Sequence, residues 1–342
     1  MEVTDLVIVG AGPCGLAAAI AAQRAGLRAV VVDRGCLVHG LTHYPAEMTF
    51  FSTAERLAIG GVPFIVATDK PTRRDALTYY REVASHCALD VRQYRTVDAV
   101  VPVHEVPETV TPSGRPVQWR VMTRPLVGAP SEVGAHALVI ATGYFGNPRR
   151  LGVPGEGLPH VRHGYTEGHT AWGQQVVIVG GANSAVDAAL TMLRAGARVT
   201  LVHTGGGISD RVKPWVRPEI EARIREGRIA VRFGSRVTAI EPEAVCVAGP
   251  AGEEWLSATQ VYTMIGYHPE TGLLAQAGVP IDAESGIPAH DPATMATPVR
   301  GVYLAGVIAS GNQANRIFIE NGRDHGDAII AHLTGAGSTV SP

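Results

Sequence analysis

Leu6-Val7-Ile8-Val9-Gly10-Ala11-Gly12-Pro13-Cys14-Gly15-Leu16 is the stretch that decides the fold. Its apolar start reads as a strand covered on both faces, the glycines as a tight turn, and the small residues from Leu16 to Ala25 as a helix. Each glycine has its own duty. Gly10 permits the turn, Gly12 lets backbone N–H groups approach a pyrophosphate, and Gly15 lets helix and strand close on one another. Gly10, Gly12, Pro13, Cys14 and Gly15 are thus the residues expected against the phosphates, at a helix start whose dipole favours an anion. A second strand, Arg28 to Val32, delivers Asp33 at the offset where an acid accepts from a ribose hydroxyl, with Arg34 beside it. Strand, turn, helix, strand and acid together read as a dinucleotide-binding unit.

The layout recurs at Val176-Val177-Ile178-Val179, followed by Gly180-Gly181-Ala182-Asn183-Ser184-Ala185, a helix to about Arg194 and a strand Arg198 to Val202. Ala182 stands where the middle glycine would be. Gly180, Gly181, Asn183, Ser184 and Ala185 are the expected phosphate-side residues of this second turn, and His203 stands where Asp33 stood in the first. A carboxylate there would bond an unmodified 2′-hydroxyl and repel a 2′-phosphate, whereas His203 with Arg211 and Lys213 suits the phosphate. NADPH is the expected coenzyme and NADH the alternative, since Arg211 and Lys213 also read as solvated loop residues.

Two such turns make an α/β chain of two Rossmann-type dinucleotide-binding domains and imply electron transfer between a bound FAD and a diffusing nicotinamide dinucleotide. Ala137 to Ile140 reads as a strand carrying Thr142 and Gly143 to the FAD. Pro148 to Pro159 reads as a linker. Gly301 to Gly306 is a further strand ending in glycine, with Val307 after it and a helix expected from about Asn312 to Asn321 whose start would face the flavin. The expected order is an FAD domain over residues 1–155 and 286–342, interrupted by an NAD(P)H domain over 156–285, with a β-meander at about 92–123.

At 342 residues the chain exceeds one ordinary core, and 46% hydrophobic with 18% charged residues is a globular composition. A net charge of -2 gives no footprint for nucleic acid or an anionic membrane. Met1 to Asp5 lacks the basic start of a signal peptide, and no apolar run approaches the roughly 20 residues of a membrane span. A cytoplasmic protein without nucleic-acid or membrane partners is the expectation. Cys14, Cys36, Cys87 and Cys246 are far apart and form no Cys-x-x-Cys, so neither a disulfide framework nor a metal site is expected.

Several longer blocks carry a family resemblance. Gly10 to Ile20, Met48 to Leu57 with Ile59 to Phe64, Lys70-Pro71-Thr72-Arg73, Gly181 to Leu190, Ile265 to Pro269, Ala305 to Ala309 and Ile317 to Arg323 follow one another, in order, along essentially the whole chain. They are similar to the blocks of the bacillithiol-disulfide reductase family. The resemblance implies a thioredoxin-reductase-like fold, FAD and NADPH as cofactors, a low-molecular-weight disulfide as substrate and Cys14 as the redox-active residue. Helix N–H groups beside Cys14 would stabilise its thiolate and suit attack on a disulfide; the plain alternative is a small residue filling a crowded turn. His43, His163 and His268 are candidates for proton delivery to the leaving thiolate. Thr72 reads as a helix N-cap. A homo-oligomer, dimer or tetramer, is expected, and a small redox protein is a second kind of partner.

The sequence departs from the wider pattern at Val307, where many relatives of the thioredoxin-reductase fold carry an Asp, and at Thr204, where the family usually has Arg. Loose FAD binding is the expectation from the first. The alternatives are a ferredoxin or flavodoxin NADP reductase, a flavin-binding redox sensor and a flavin monooxygenase. No aromatic residue follows Phe318, against the first, and Gly157 and Pro159 break the F-x-G-x-x-x-H pattern of the last.

Overall fold

β1 (Glu2–Val9) shows no polar alternation because both faces are covered: Leu6, Val7 and Ile8 are fully buried. The chain turns into α1 (Pro13–Arg24), where Pro13 loses no hydrogen bond in the first turn, and returns as β2 (Ala29–Val32), parallel to β1. α2 (Arg73–His86) starts at a capping box, in which Thr72 accepts from Asp75 N and Asp75 accepts from Thr72 N. β3 (Asp90–Arg92) then extends the parallel run. β4 (Arg95–Pro102), β5 (Trp119–Pro125) and β6 (Ser131–Ile140) form an antiparallel meander, and β6 lies parallel to β1.

This computed structural model describes residues 1–103 and 109–335, so part of the expected meander (104–108) and of the expected first domain (336–342) lies outside the described residues. The chain divides into two units. One comprises Met1–Thr42, Glu47–Asn147 and the residues from His268 onward; the other comprises His43–Ala46 and Pro148–Tyr267.

The second unit repeats the motif with β7 (Val161–Arg162), β8 (Gln175–Val179), α3 (Asn183–Arg194), β9 (Arg198–His203), α4 (Arg217–Arg225) and β10 (Ile229–Phe233). An antiparallel sheet of β11 (Arg236–Glu241), β12 (Ala244–Gly249) and β13 (Gly252–Ser257) follows. β14 (Gln260–Thr263) completes a parallel sheet of order β10-β9-β8-β14-β7. The core of this unit gathers Ile178, Leu190, Met192, Leu201 and Ile220 around α3.

In the first unit the chain resumes with α5 (Gly272–Gln276), β15 (Val302–Leu304), α6 (Ile319–Gly322) and α7 (His325–Thr334). One edge of β6 is shared: β5 covers Ser131 to Ala135, and β15 covers Leu138 to Ile140. α7 lies close on α1, for a Cβ on Gly326 would come 2.6 Å from Ala18 Cα. The small residues of α1 allow that approach. No described helix is long and apolar enough to cross a membrane.

Three expectations about the layout of the chain need correction. The return to the first unit comes at His268 rather than at 286, because His268 N donates to Asn147 O at 3.0 Å and Val100 N to Gln276 Oε1 at 3.4 Å. The exit comes at Pro148, and the expected linker belongs to the second unit, with Ile240 N donating to Pro154 O. The helix expected over 312–321 is mostly irregular chain; only Ile319–Gly322 is helical there. Asparagine side chains compete with a helix for its backbone. Asn321 accepts from Phe318 N and donates to Arg316 O, and Asn312 N donates to Ser285 O.

Candidate functional site

The first glycine-rich turn separates what the fold needs from what a ligand needs. Gly10 has φ 114°, and a Cβ on it would lie 2.2 Å from Ala141 O; a Cβ on Gly15 would lie 2.0 Å from Gly10 O. Those two glycines are required by the backbone itself. A Cβ on Gly12 would meet nothing within 4 Å. Gly12 therefore leaves open space at the start of α1, where no side chain caps the first N–H groups. Asp33 braces this turn, its Oδ2 accepting from Ala11 N at 2.7 Å and its Oδ1 from Gly35 N at 2.8 Å. A carboxylate keeps further lone pairs for a hydroxyl donor. Arg34 pairs with Glu270 at 2.8 Å, which draws its charge toward that carboxylate.

At the end of β6, the Thr142 hydroxyl is buried and has no hydrogen-bond partner in the protein. A buried unpaired hydroxyl costs about 1–3 kcal/mol, and this one lies next to the open phosphate turn. With Gly12, Gly143 and the uncapped start of α1, it fits a dinucleotide such as FAD. Replacing Thr142 with valine is accordingly expected to leave the flavin-free protein as stable as wild type or more so, while weakening FAD about tenfold. Calorimetric melting and FAD titration check both halves of that expectation.

Gly306 lies two residues past β15, and its N–H donates to His325 Nδ1 at 3.2 Å, which places the ring proton on Nε2. Burial, reinforced by nearby His290, holds His325 below the usual histidine range and so neutral at pH 7. Sequence reasoning missed His325. No local pattern marks it, because its partner lies on another segment. Val307 contributes no charge beside this bond.

Cys14 behaves otherwise than expected. The residue keeps some exposed surface, yet a Cβ on Gly306 or Gly322 would lie only 3.0 or 2.9 Å from its sulfur, so Sγ is packed against both. Burial, with the charge of Asp324 adding to it, pushes the thiol up to about 12. Desolvation of a thiolate outweighs the helix start here. The expected lowering of this pKa is corrected to a rise.

In the second unit, Gly180 has φ 140° and a Cβ on it would lie 2.5 Å from Met264 O. Ala185 is fully buried and packs there, as Gly15 does in the first turn. Ser184 is exposed on the first turn of α3, which has no side-chain cap. The His203 ring covers Gly181, where a Cβ would come 2.4 Å from Cδ2. Lys213, expected at a 2′-phosphate, instead pairs with Asp187, Nζ to Oδ2 at 3.1 Å. Arg211 is exposed. Of the histidines proposed for proton delivery, His163 Nδ1 lies 2.5 Å from Thr263 Oγ1, His268 Nδ1 lies 2.9 Å from Asn147 Nδ2, and His43 falls in the second unit.

A family model described as pyridine nucleotide-disulphide oxidoreductase matches residues 7–123 and 125–306. The chain belongs to that family. As a pyridine nucleotide-disulphide oxidoreductase it is a flavoprotein reductase with a thioredoxin-reductase-like fold. It is 42% identical, over 96% of each chain, to bacilliredoxin reductase Bdr of Bacillus subtilis (strain 168). A solved structure of bacillithiol disulfide reductase Bdr (YpdA) from Bacillus cereus superposes with a TM-score of 0.91 at 40% identity, covering 98% of this chain and all of the other. Thioredoxin reductase from T. acidophilum, at 21% identity and a TM-score of 0.74 over 98% of this chain and 99% of that one, shares the fold. The turns around Gly10 and Gly180 fall inside the stretch that the family model covers.

Proposed function

We propose that the protein reduces a low-molecular-weight disulfide, bacillithiol disulfide, with NADPH as electron donor and FAD as the resident cofactor. The observation that carries this reading is the likeness, over nearly the full length, to solved structures of proteins named bacillithiol disulfide reductase. The open space at Gly12 and the unpartnered Thr142 hydroxyl support a dinucleotide in the first unit. The first unit would then be the FAD domain and the second the NADPH domain.

Bound FAD would supply a two-electron relay between nicotinamide and disulfide. Gly12, the N–H groups that open α1, Asp33 and Thr142 would hold it, with Gly143, Gly306 and Val307 lining the approach. Cys14 would give its proton to one sulfur of the substrate and bond to the other, so that a thiol leaves and a mixed disulfide remains. Two electrons and two protons then return Cys14 to its thiol and release the second thiol product. With its pKa pushed up, Cys14 must lose its proton as it attacks, which makes proton transfer part of this step. A cytoplasmic setting and a homo-oligomer belong to the same proposal.

Anaerobic addition of NADPH is expected to bleach the flavin of wild type and of Cys14→Ala alike, while turnover of bacillithiol disulfide falls at least a hundredfold in the variant. A flavin that NADPH leaves oxidised would overturn the whole reading. Undiminished turnover in Cys14→Ala would overturn the role given to that residue alone.

A further inference from the structure

The loop between β9 and α4 carries Gly205-Gly206-Gly207 near its start, a run that imposes little on its own direction. The residues after it are nevertheless fixed, and they are fixed to the second glycine-rich turn. Ser209 N donates to Gly181 O at 3.0 Å. Asn183, the first residue of α3, donates from Nδ2 to Arg211 O at 2.8 Å and accepts at Oδ1 from Lys213 N at 3.0 Å. Val212, between those two bonds, is 3% exposed and packs into the core of this unit. Arg217 Nη2 closes the other side by donating to Ser209 O at 2.8 Å. Ser209 to Lys213 thus forms a strap across the turn, and the Asn183 amide grips it through both of its ends.

Only asparagine does this at that length, since aspartate has no N–H to give Arg211 O and glutamine is one methylene too long. The grip buries Val212 and leaves the Arg211 side chain on the exposed side of the strap, while Lys213 is taken by Asp187. We infer that Asn183 is a positioning residue for coenzyme choice, holding the strap so that Arg211, rather than Lys213, meets the 2′-phosphate of NADPH. The inference rests on the second unit holding a nicotinamide dinucleotide. It places the discrimination between NADPH and NADH in one guanidinium whose location depends on an amide four positions into the Gly180 turn.

Titration calorimetry of the flavin-loaded protein with 2′,5′-ADP and with 5′-AMP tests it without turnover. Wild type is expected to prefer 2′,5′-ADP roughly tenfold or more, the effect of one charge-assisted contact. Arg211→Ala should abolish the preference and Arg211→Lys keep part of it, because a point charge replaces a fork. Asn183→Ala should cut the preference for 2′,5′-ADP over 5′-AMP at least threefold. An unaltered preference in Asn183→Ala, or an equal loss for both nucleotides, overturns the positioning role. A wild type that binds 5′-AMP as well as 2′,5′-ADP overturns the role of Arg211. A wild type that binds neither nucleotide removes the coenzyme site itself, a failure of the functional reading and not of the strap.

Discussion

Gly12→Val protein is expected to fold normally and to bind flavin far more weakly. Gly12 has φ -73° and ψ 172°, extended values open to any residue, and a Cβ there would meet nothing in the protein. The melting temperature without cofactor should therefore match wild type. FAD affinity should fall by a factor of about a hundred, near 2.7 kcal/mol, because the valine methyls occupy the space through which N–H groups reach a pyrophosphate. Gly15→Ala should do the reverse. Its Cβ would lie 2.0 Å from a backbone oxygen, Gly10 O, and a backbone cannot step aside as a side chain can. A loss of more than about 3 kcal/mol in stability is expected even before any cofactor is added. Differential scanning calorimetry and flavin absorbance after reconstitution separate the two. Normal FAD retention by Gly12→Val would show that this opening is not where the cofactor lies.

The second large effect concerns Cys14. With its thiol pushed from 9.0 up to about 12, the thiolate fraction at pH 8 should be lower than that of a free cysteine by about three decades. Iodoacetamide should label Cys14 in the native protein far more slowly than in the urea-unfolded chain, and the rate should climb with each added pH unit past 9. The sign for stability follows from the same rise. Below pH 9 the thiol is protonated in folded and unfolded chains alike and costs nothing; above it the unfolded chain ionises first, so stability falls as pH rises toward 12. Cys14→Ser should flatten that alkaline decline. Fast labelling at pH 7 would mean the sulfur is not enclosed.

What the sequence revealed and what it hid divides along distance in the chain. The turn at Gly10 to Gly15, the matching turn at Gly180 and the Thr72 cap are set by neighbours within a few residues, so their patterns survive as short motifs. The chemistry of Cys14 is set by Gly306 and Gly322, and that of the Gly306 N–H by His325. Nothing near Cys14 announces either glycine. Lys213 looked available for a phosphate because Asp187, which pairs with it, lies on the preceding helix. The domain return at His268 was hidden for a related reason: its bond to Asn147 joins two segments separated by the whole inserted unit. Residues 312–318 were misread because the small polar run resembles a helix start, whereas the Asn321 amide takes up Phe318 N and Arg316 O, and the Asn312 amide reaches back to Glu284 O.

The divided edge of β6 sets an order in time. As the polypeptide leaves the ribosome, β6 can meet β1 and β5 at once, but Leu138 to Ile140 must wait for Val302 to Leu304, which emerge only after the entire inserted unit. Until then an apolar length of strand stands bare beside the Thr142 end, an invitation to pair with any passing chain. A ribosome that stalls before Val302 yields a product with a complete phosphate turn and an unfinished sheet. Copies truncated there should turn up in aggregates rather than in the dissolved fraction.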